Sequence, residues 1–425
     1  MWRTTSVFVF GATLVALVFA CRNPRYCAGN PDNDCDLHWD AAYEDAGGCT
    51  SSTQCSAPTS VCDLGAMKCV ACVAPDQTSA CTGMTPTCGS DDQCHACSAH
   101  ADCASSACLP DGSCGSDGNV AYIDPAGSGS ACTQELPCAQ VSIALATDKP
   151  YVKVHGTIDE QVTINSQNVT LLADPGATLT STTNGIILVV NGSSQVEIYD
   201  LTITGASGAG GYGISLPGGN SAMLSLDRVV VSNNTGGGIL ASSGTLVAKQ
   251  SYITGNVAGG ISLISTQFDI ENDVIAQNGS FTSTFGGVLI SQISSGTRTF
   301  LFNTVTTNGG MAGTVTGVEC SVVTQPITFS DDIIYANQVS GGGTQVGGTN
   351  CAYTYSDIGP DATAGSGNID ADPQFVDATH GDFDITATSP CKDTADPAAT
   401  EPVDIHGTKR PQGSNYDMGA DEVKQ

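Results

Sequence analysis

Residues 224–261 read LSLDRVVVSNNTGGGILASSGTLVAKQSYITGNVAGGI, and one motif occurs in them twice. An apolar β-branched residue is followed three places on by Asn, at Val231/Asn234 and again at Ile253/Asn256. Working outward, the column continues at Ile275/Asn278, Val305/Asn308 and Ile334/Asn337, and backward at Ile203, where Ala206 replaces the Asn. The steps are 28, 22, 22, 30 and 29 residues. A second column follows each copy: Gly213-Ile214, Gly238-Ile239, Gly260-Ile261, Gly287-Val288 and Gly317-Val318. A third apolar run precedes each, for example Leu224 to Leu226, Phe268 to Ile270 and Ile327 to Phe329. Three short strands in 22 to 30 residues, each alternating apolar and polar, describe one rung of a parallel solenoid. A single rung cannot bury its apolar face; stacked rungs share a continuous core and a backbone ladder. Asn suits a corner because it tolerates left-handed backbone angles and hydrogen-bonds the next copy of itself. Gly is expected at the following corner for its freedom at positive φ. An antiparallel sandwich would not keep Asn and Gly columns in step. The fold class is therefore all-β, a right-handed parallel β-helix, the hand following the general preference of parallel crossovers.

The ends of the repeat fit this reading. Ala121 to Pro125 opens a strand, and Pro137 to Ala146 reads as a short amphipathic helix, together a cap for the first rung, whose core and sheet edge would otherwise be open. Cys132 and Cys138 are placed to bridge that cap, and Cys320 and Cys351 lie near equivalent points of neighbouring rungs. Cys391 is left either as a buried free thiol or as a sign of a different pairing. Residues 119–370 are thus read as the β-helix with its N-terminal cap. The region resembles the pectate-lyase-like superfamily of right-handed β-helices. Residues 371–425, with Asp372-Pro373-Gln374-Phe375, Ser389-Pro390-Cys391 and Asp417-Met418-Gly419-Ala420, resemble the closing segment of many secreted β-helix proteins, which usually wraps the last rung. Arg410 in that segment is expected to pair with a neighbouring carboxylate in a structural role.

Twenty cysteines are too many for a reducing cytosol. Cys49, Cys55, Cys62, Cys69 and Cys72 form one spacing unit, Cys72, Cys81, Cys88, Cys94 and Cys97 a second, and Cys97, Cys103, Cys108 and Cys114 a shorter third, each sharing its boundary cysteine. Large apolar residues are scarce in 49–115, so cross-links must replace a core. Cys69-x-x-Cys72 and Cys94-x-x-Cys97 have the spacing of a four-thiolate zinc site, but the export signal that precedes them favours disulfides, with connectivity open. The segment resembles Cys-rich repeats near the start of secreted bacterial surface proteins.

Residues 1–20 read as an export signal: Arg3, then an apolar run from Val7 to Phe19 too short for a comfortable membrane span. Val18-Phe19-Ala20-Cys21 resembles a bacterial lipobox, which implies acylation of Cys21 and anchoring to a bacterial membrane, with residues 21–48 as a linker; Phe19 is bulkier than that pattern's usual residue, and simple secretion is the alternative.

The net charge is −29. Clustered cations, which phosphate binding requires, are missing, so nucleic acid is excluded as a partner. The superfamily's enzymes act on polysaccharides along one face. Polygalacturonase-like landmarks are absent from 119–358, and Asp331-Asp332 is the only adjacent acidic pair on a rung. Pectate-type lyases need carboxylate-bound calcium and an Arg or Lys base. Between Lys153 and Lys392 the only cations are Arg228, Lys249 and Arg298. Arg228 and Lys249, with Asp200, Asp227 and Asp273, form the best candidate catalytic groove; outward side chains on a solvated sheet are the plainer account. His155, alone on an early rung, reads as structural. Calcium could be offered oxygens by Asp32, Asp34 and Asp36 or by Asp357, Asp361, Asp370 and Asp372, though neither group has the spacing of a known loop site. The functional expectation is an exported surface module that binds carbohydrate or another surface partner without catalysis, or serves as a rigid envelope component. The alternative is a polysaccharide lyase or glycoside hydrolase.

Overall fold

The computed structural model of the chain describes residues 48–74, 80–219, 221–292, 296–337, 343–360 and 363–424. The export signal, Cys21, the linker up to residue 47, the Asp32/Asp34/Asp36 group and Asp361 lie outside the described residues. The chain divides into two compact units, Met1–Cys69 and Val70–Gln425. The first is closed by Cys49–Cys62 and Cys55–Cys69.

The second unit begins with two further cysteine modules, bridged Cys72–Cys88 and Cys81–Cys94, then Cys97–Cys108 and Cys103–Cys114. Each run of four cysteines joins first to third and second to fourth. The boundary cysteines are therefore not shared, which corrects the sequence reading: Cys72 and Cys97 each begin a new module. Both thiolate pairs of the zinc alternative are consumed by these bridges.

The solenoid consists of three parallel sheets among the described residues: nine strands from Thr157–Asp159 to Asp357–Gly359, eight from Val162–Asn165 to Thr344–Gly348, and ten from Val120–Ile123 to Cys351–Thr354. Like strands stack in register, Val196 on Leu224, Leu246 and Phe268, with every one of these side chains inward and buried. Phe300, Phe329 and Tyr353 continue the interior as a ring stack with centroids 5.0 and 4.9 Å apart. This is the right-handed parallel β-helix expected from the repeat. The cap is also present, with Val120–Ile123 and a helix over Val141–Leu145 that is shorter than the stretch read from sequence. Its loop is closed by Cys132–Cys138, and Cys320–Cys351 ties two late rungs.

The Asn column forms a buried ladder. Asn234, Asn256, Asn278, Asn308 and Asn337 are fully buried, and each donates through Nδ2 to the next Oδ1 at 2.8–3.0 Å, ending on Gln345 Oε1. The Gly column has a different cause from the one expected. Gly238, Gly260, Gly287 and Gly317 are not among the positive-φ residues. A Cβ there would lie only 2.1–2.7 Å from a carbonyl oxygen of the neighbouring rung, so the requirement is space.

A corner that sequence reading missed joins the ten-stranded to the nine-stranded sheet. Asp200, Arg228, Gln250, Asn272, Phe302, Asp331 and Tyr355 all take left-handed φ between 48° and 64°. The next residue of each rung turns inward, and Ser251, Asp273, Asn303, Asp332 and Ser356 form a second buried polar ladder.

The C-terminal segment runs across the outer face of the nine-stranded sheet. Phe383, Ile405 and Ala420 pack with Val274 and Ala276, and Ala420 N–H donates to Thr304 Oγ1 at 3.0 Å. Arg410 is buried, donating to Asp417 O (2.9 Å) and Gly419 O (2.7 Å) and facing Glu422 Oε2 at 3.4 Å. Cys391 is a buried free thiol that donates to Asp357 Oδ2 at 3.1 Å. Asp357, one of the acidic residues considered for calcium, is thereby engaged inside the protein.

Candidate functional site

A cleft of about 960 Å³ lies between the third cysteine module and the outer edge of the ten-stranded sheet. Strand alternation sends Leu172, Tyr199 and Asp227 outward at matched positions of successive rungs. Asp200 and Arg228 follow at the left-handed corner, and Asp174 lies one rung earlier. His100 of the cysteine module closes the opposite wall.

The polar groups here are tied to one another. Arg228 Nε and Nη2 donate to Asp200 at 2.7 and 3.0 Å, and Nη1 donates to Asp227 Oδ1 at 2.5 Å. Its guanidinium lies 5.9 Å from the Tyr199 ring centroid. Lys153 and His155 both bond Asp174, the latter at 2.9 Å. The Cys108 N–H donates to His100 Nδ1 at 3.1 Å, and Nε2 faces Ala173 O at 3.3 Å, which fixes the neutral Nε2–H tautomer. Burial, reinforced by nearby Lys153, lowers the His100 pKa in agreement. Burial likewise lowers the Lys153 ammonium and raises the Asp227 carboxyl, the latter against the pull of Arg228. At Asp174 burial is outweighed by the hydrogen bonds of Lys153 and His155, and the carboxyl stays below its ordinary range. The bond to Asp200 raises Arg228, and burial pushes the Tyr199 hydroxyl up to about 12.

Of the five candidate catalytic residues, the structure gathers Asp200, Asp227 and Arg228. Lys249 is in register with Asp227 one rung on, but its ammonium is held by Glu271 at 2.7 Å and Asp269 at 3.3 Å. Asp273 must be corrected: it is fully buried in the corner ladder and cannot share a groove with the others. The Asp331-Asp332 pair is also buried, Asp331 accepting from Asp396 N–H and Asp332 from Asn303 N–H, so it cannot flank a sugar. His155 is not alone but bound to Asp174, which lines the cleft. Sequence reading missed Lys153, Asp174, Tyr199 and His100. The outward alternation of the ten-stranded sheet could have found Tyr199; His100, from the cysteine segment, left no signal.

Asp174, Asp200 and Asp227 face Lys153 and Arg228, leaving one carboxylate in excess of the lysine and arginine. Neither cation is free to abstract a proton or to receive an acidic sugar. The arrangement offers fixed acceptors and a half-buried aromatic ring, with Leu172 packed beneath them against Ala107 and Leu109.

A family model described as the right-handed β-helix region matches residues 184–357. No curated protein sequence matches the chain. Among solved structures, the crystal structure of pectate lyase Pel9A is similar at a TM-score of 0.45 and 15% identity, over 71% of this chain and 96% of that one. What the chain has in common with the matched family is the right-handed parallel β-helix region.

Proposed function

We propose that the chain is an exported surface protein, anchored to a bacterial membrane through acylated Cys21, whose β-helix binds a neutral or amino-bearing glycan in this cleft without cleaving it. The observation that carries the reading is that each cation at the cleft is already engaged by a carboxylate. Polyuronates would meet excess negative charge, whereas hydroxyl-rich sugars can use the carboxylates as acceptors and Tyr199 as a stacking surface. Eight disulfides among the described residues support an oxidising compartment. The test is equilibrium binding of the full chain to neutral, amino and uronic polysaccharides. Saturable binding of a neutral or amino glycan, weakened roughly two- to tenfold by Tyr199→Ala, is expected, since one stacked aromatic is worth roughly 0.5–1.5 kcal/mol beyond its buried area. Preference for polyuronates, or indifference to Tyr199→Ala, would overturn it. Mass spectrometry of the N-terminal peptide tests the anchor separately: an unacylated Cys21 would refute it.

A second reading is favoured by one observation. The Asp227 carboxyl, raised by burial and joined to Asp200 through Arg228, resembles the general acid that a glycoside hydrolase requires. Cleavage is the measurement that separates the two.

A further inference from the structure

We propose a divalent transition-metal site of the zinc class in the C-terminal segment, held by Asp384, His406 and Asp421. Four histidines of the described residues lie within ion-pair distance of a carboxylate. His95 meets Asp91, His155 meets Asp174 and His380 meets Asp377, one carboxylate each. Only His406 meets two. Its Nε2 is 2.8 Å from Asp384 Oδ1 and 4.0 Å from Asp421 Oδ1. One donor atom from each of the three residues falls within 4.8 Å of the others. A tetrahedral zinc ion with bonds of about 2.0–2.2 Å keeps its donors roughly 3.3 Å apart, so the cluster needs only side-chain adjustment to close on an ion.

The backbone holds these groups in place independently. Ile385 N–H donates to Asp421 Oδ2 at 2.9 Å, which brings Asp384 beside Asp421. Ile405 N–H donates to Ala420 O at 2.9 Å, which sets His406 against the same carboxylate, and Asp404 Oδ1 accepts the His406 N–H at 2.9 Å. Asp421 supplies a second observation that points to a ligand. Its side chain keeps only 11% exposure; Oδ2 is engaged by Ile385 N–H, while Oδ1 accepts no hydrogen bond among the described residues and faces the imidazole across 4.0 Å. The surroundings are short of positive charge: Asp382, Asp384, Asp404 and Asp421 all lie near Tyr252, whose hydroxyl is pushed up to about 12 by burial first and by these carboxylates after it. A divalent ion would neutralise that excess. The imidazole donor favours zinc or cobalt over calcium, which prefers six to eight oxygens. Three protein ligands leave coordination open to water, and the ion would staple the Asp382–Ile385 strand to the two closing loops that lie on the nine-stranded sheet.

The test is calorimetric titration of the chelator-treated full chain with zinc, alongside the visible spectrum with cobalt. One saturable site is expected, unaffected by calcium in excess and accompanied by a higher thermal midpoint. His406→Gln and Asp384→Asn, both at partly exposed positions, should each weaken zinc binding by about tenfold or more with the circular dichroism unchanged. Cys391→Ser should not. Absence of saturable uptake overturns the proposal. Zinc affinity unchanged in both His406→Gln and Asp384→Asn, or lost in Cys391→Ser, places the metal elsewhere and overturns it as well.

Discussion

Replacing Asp273 with Asn should make this protein more stable, although it removes a charge-bearing group from a crowded interior. Asp273, Asn303 and Asp332 stand on successive rungs of the missed corner, all fully buried. Ser251 N–H donates to Asp273 Oδ1 at 2.6 Å, Asp273 N–H to Asn303 Oδ1 at 3.0 Å, and Asn303 N–H to Asp332 Oδ1 at 2.8 Å. Asn303 also donates from Nδ2 to Ile270 O at 3.0 Å. Asp273 has an oxygen at the corresponding place, and that Oδ2 has no partner. The register makes Ala248 O its counterpart. Two acceptors facing each other in a dry interior force the carboxyl to keep a proton, and burial drives its pKa well above the ordinary value. Asn carries its N–H without having to hold a proton that the unfolded chain releases, so the variant should gain on the order of 1–3 kcal/mol near pH 7. Because the folded pKa is raised above the unfolded one, the wild-type contribution is complete at low pH and is lost as pH rises. The advantage of Asp273→Asn should therefore grow between about pH 5 and pH 8. Guanidinium denaturation at both ends of that window measures it. A variant no more stable than wild type at the upper end, with the same pH slope, would refute the ladder account.

Three further outcomes follow from the geometry. Arg410→Met removes the cation from buried Glu422 and two backbone carbonyls, and should cost about 3–5 kcal/mol, seen as early proteolysis of the C-terminal segment; resistance equal to wild type would count against its bracing role. Burial holds the Asp357 carboxyl up to about 7, so its stabilisation is full below about pH 4 and lost as pH rises through 7, a swing of up to about 4 kcal/mol; Asp357→Asn should flatten that part of a thermal-midpoint profile, and an unaltered profile would be contrary. His100→Ala frees the Cys108 N–H and should speed exchange of that amide by roughly tenfold or more, about 1–3 kcal/mol, while strand amides of the β-helix stay protected; unchanged exchange would show that His100 does not clamp the module.

The solenoid was legible because stacking repeats one physical problem at each rung. Asn234 to Asn337 and Gly238 to Gly317 answer the same corner each time, so their spacing reports the fold even where loops change length. The reason for the glycines was not legible, since crowding by the next rung's carbonyl leaves no mark distinct from a need for positive φ. Asp273 was misplaced for a related reason. Counting by two from the strand puts it outward near Lys249, but the left-handed residue Asn272 resets the alternation and turns Asp273 inward. Asp227 was recovered because it sits before that reset, and Asp200 and Arg228 occupy the left-handed position itself, where the side chain still points outward. Lys153 and Asp174 belong to rungs that lack the Asn column, and His100 reaches the β-helix from a disulfide module with no periodicity to follow.

The central claim is that the cleft binds a glycan and leaves it intact. The full chain should therefore be incubated with neutral, amino and uronic polysaccharides, with and without calcium, while bound ligand, new reducing ends and unsaturated products are measured together. Binding with no product of either kind is the expected result. Product formation that disappears in Asp227→Asn would contradict it and make the cleft an active site.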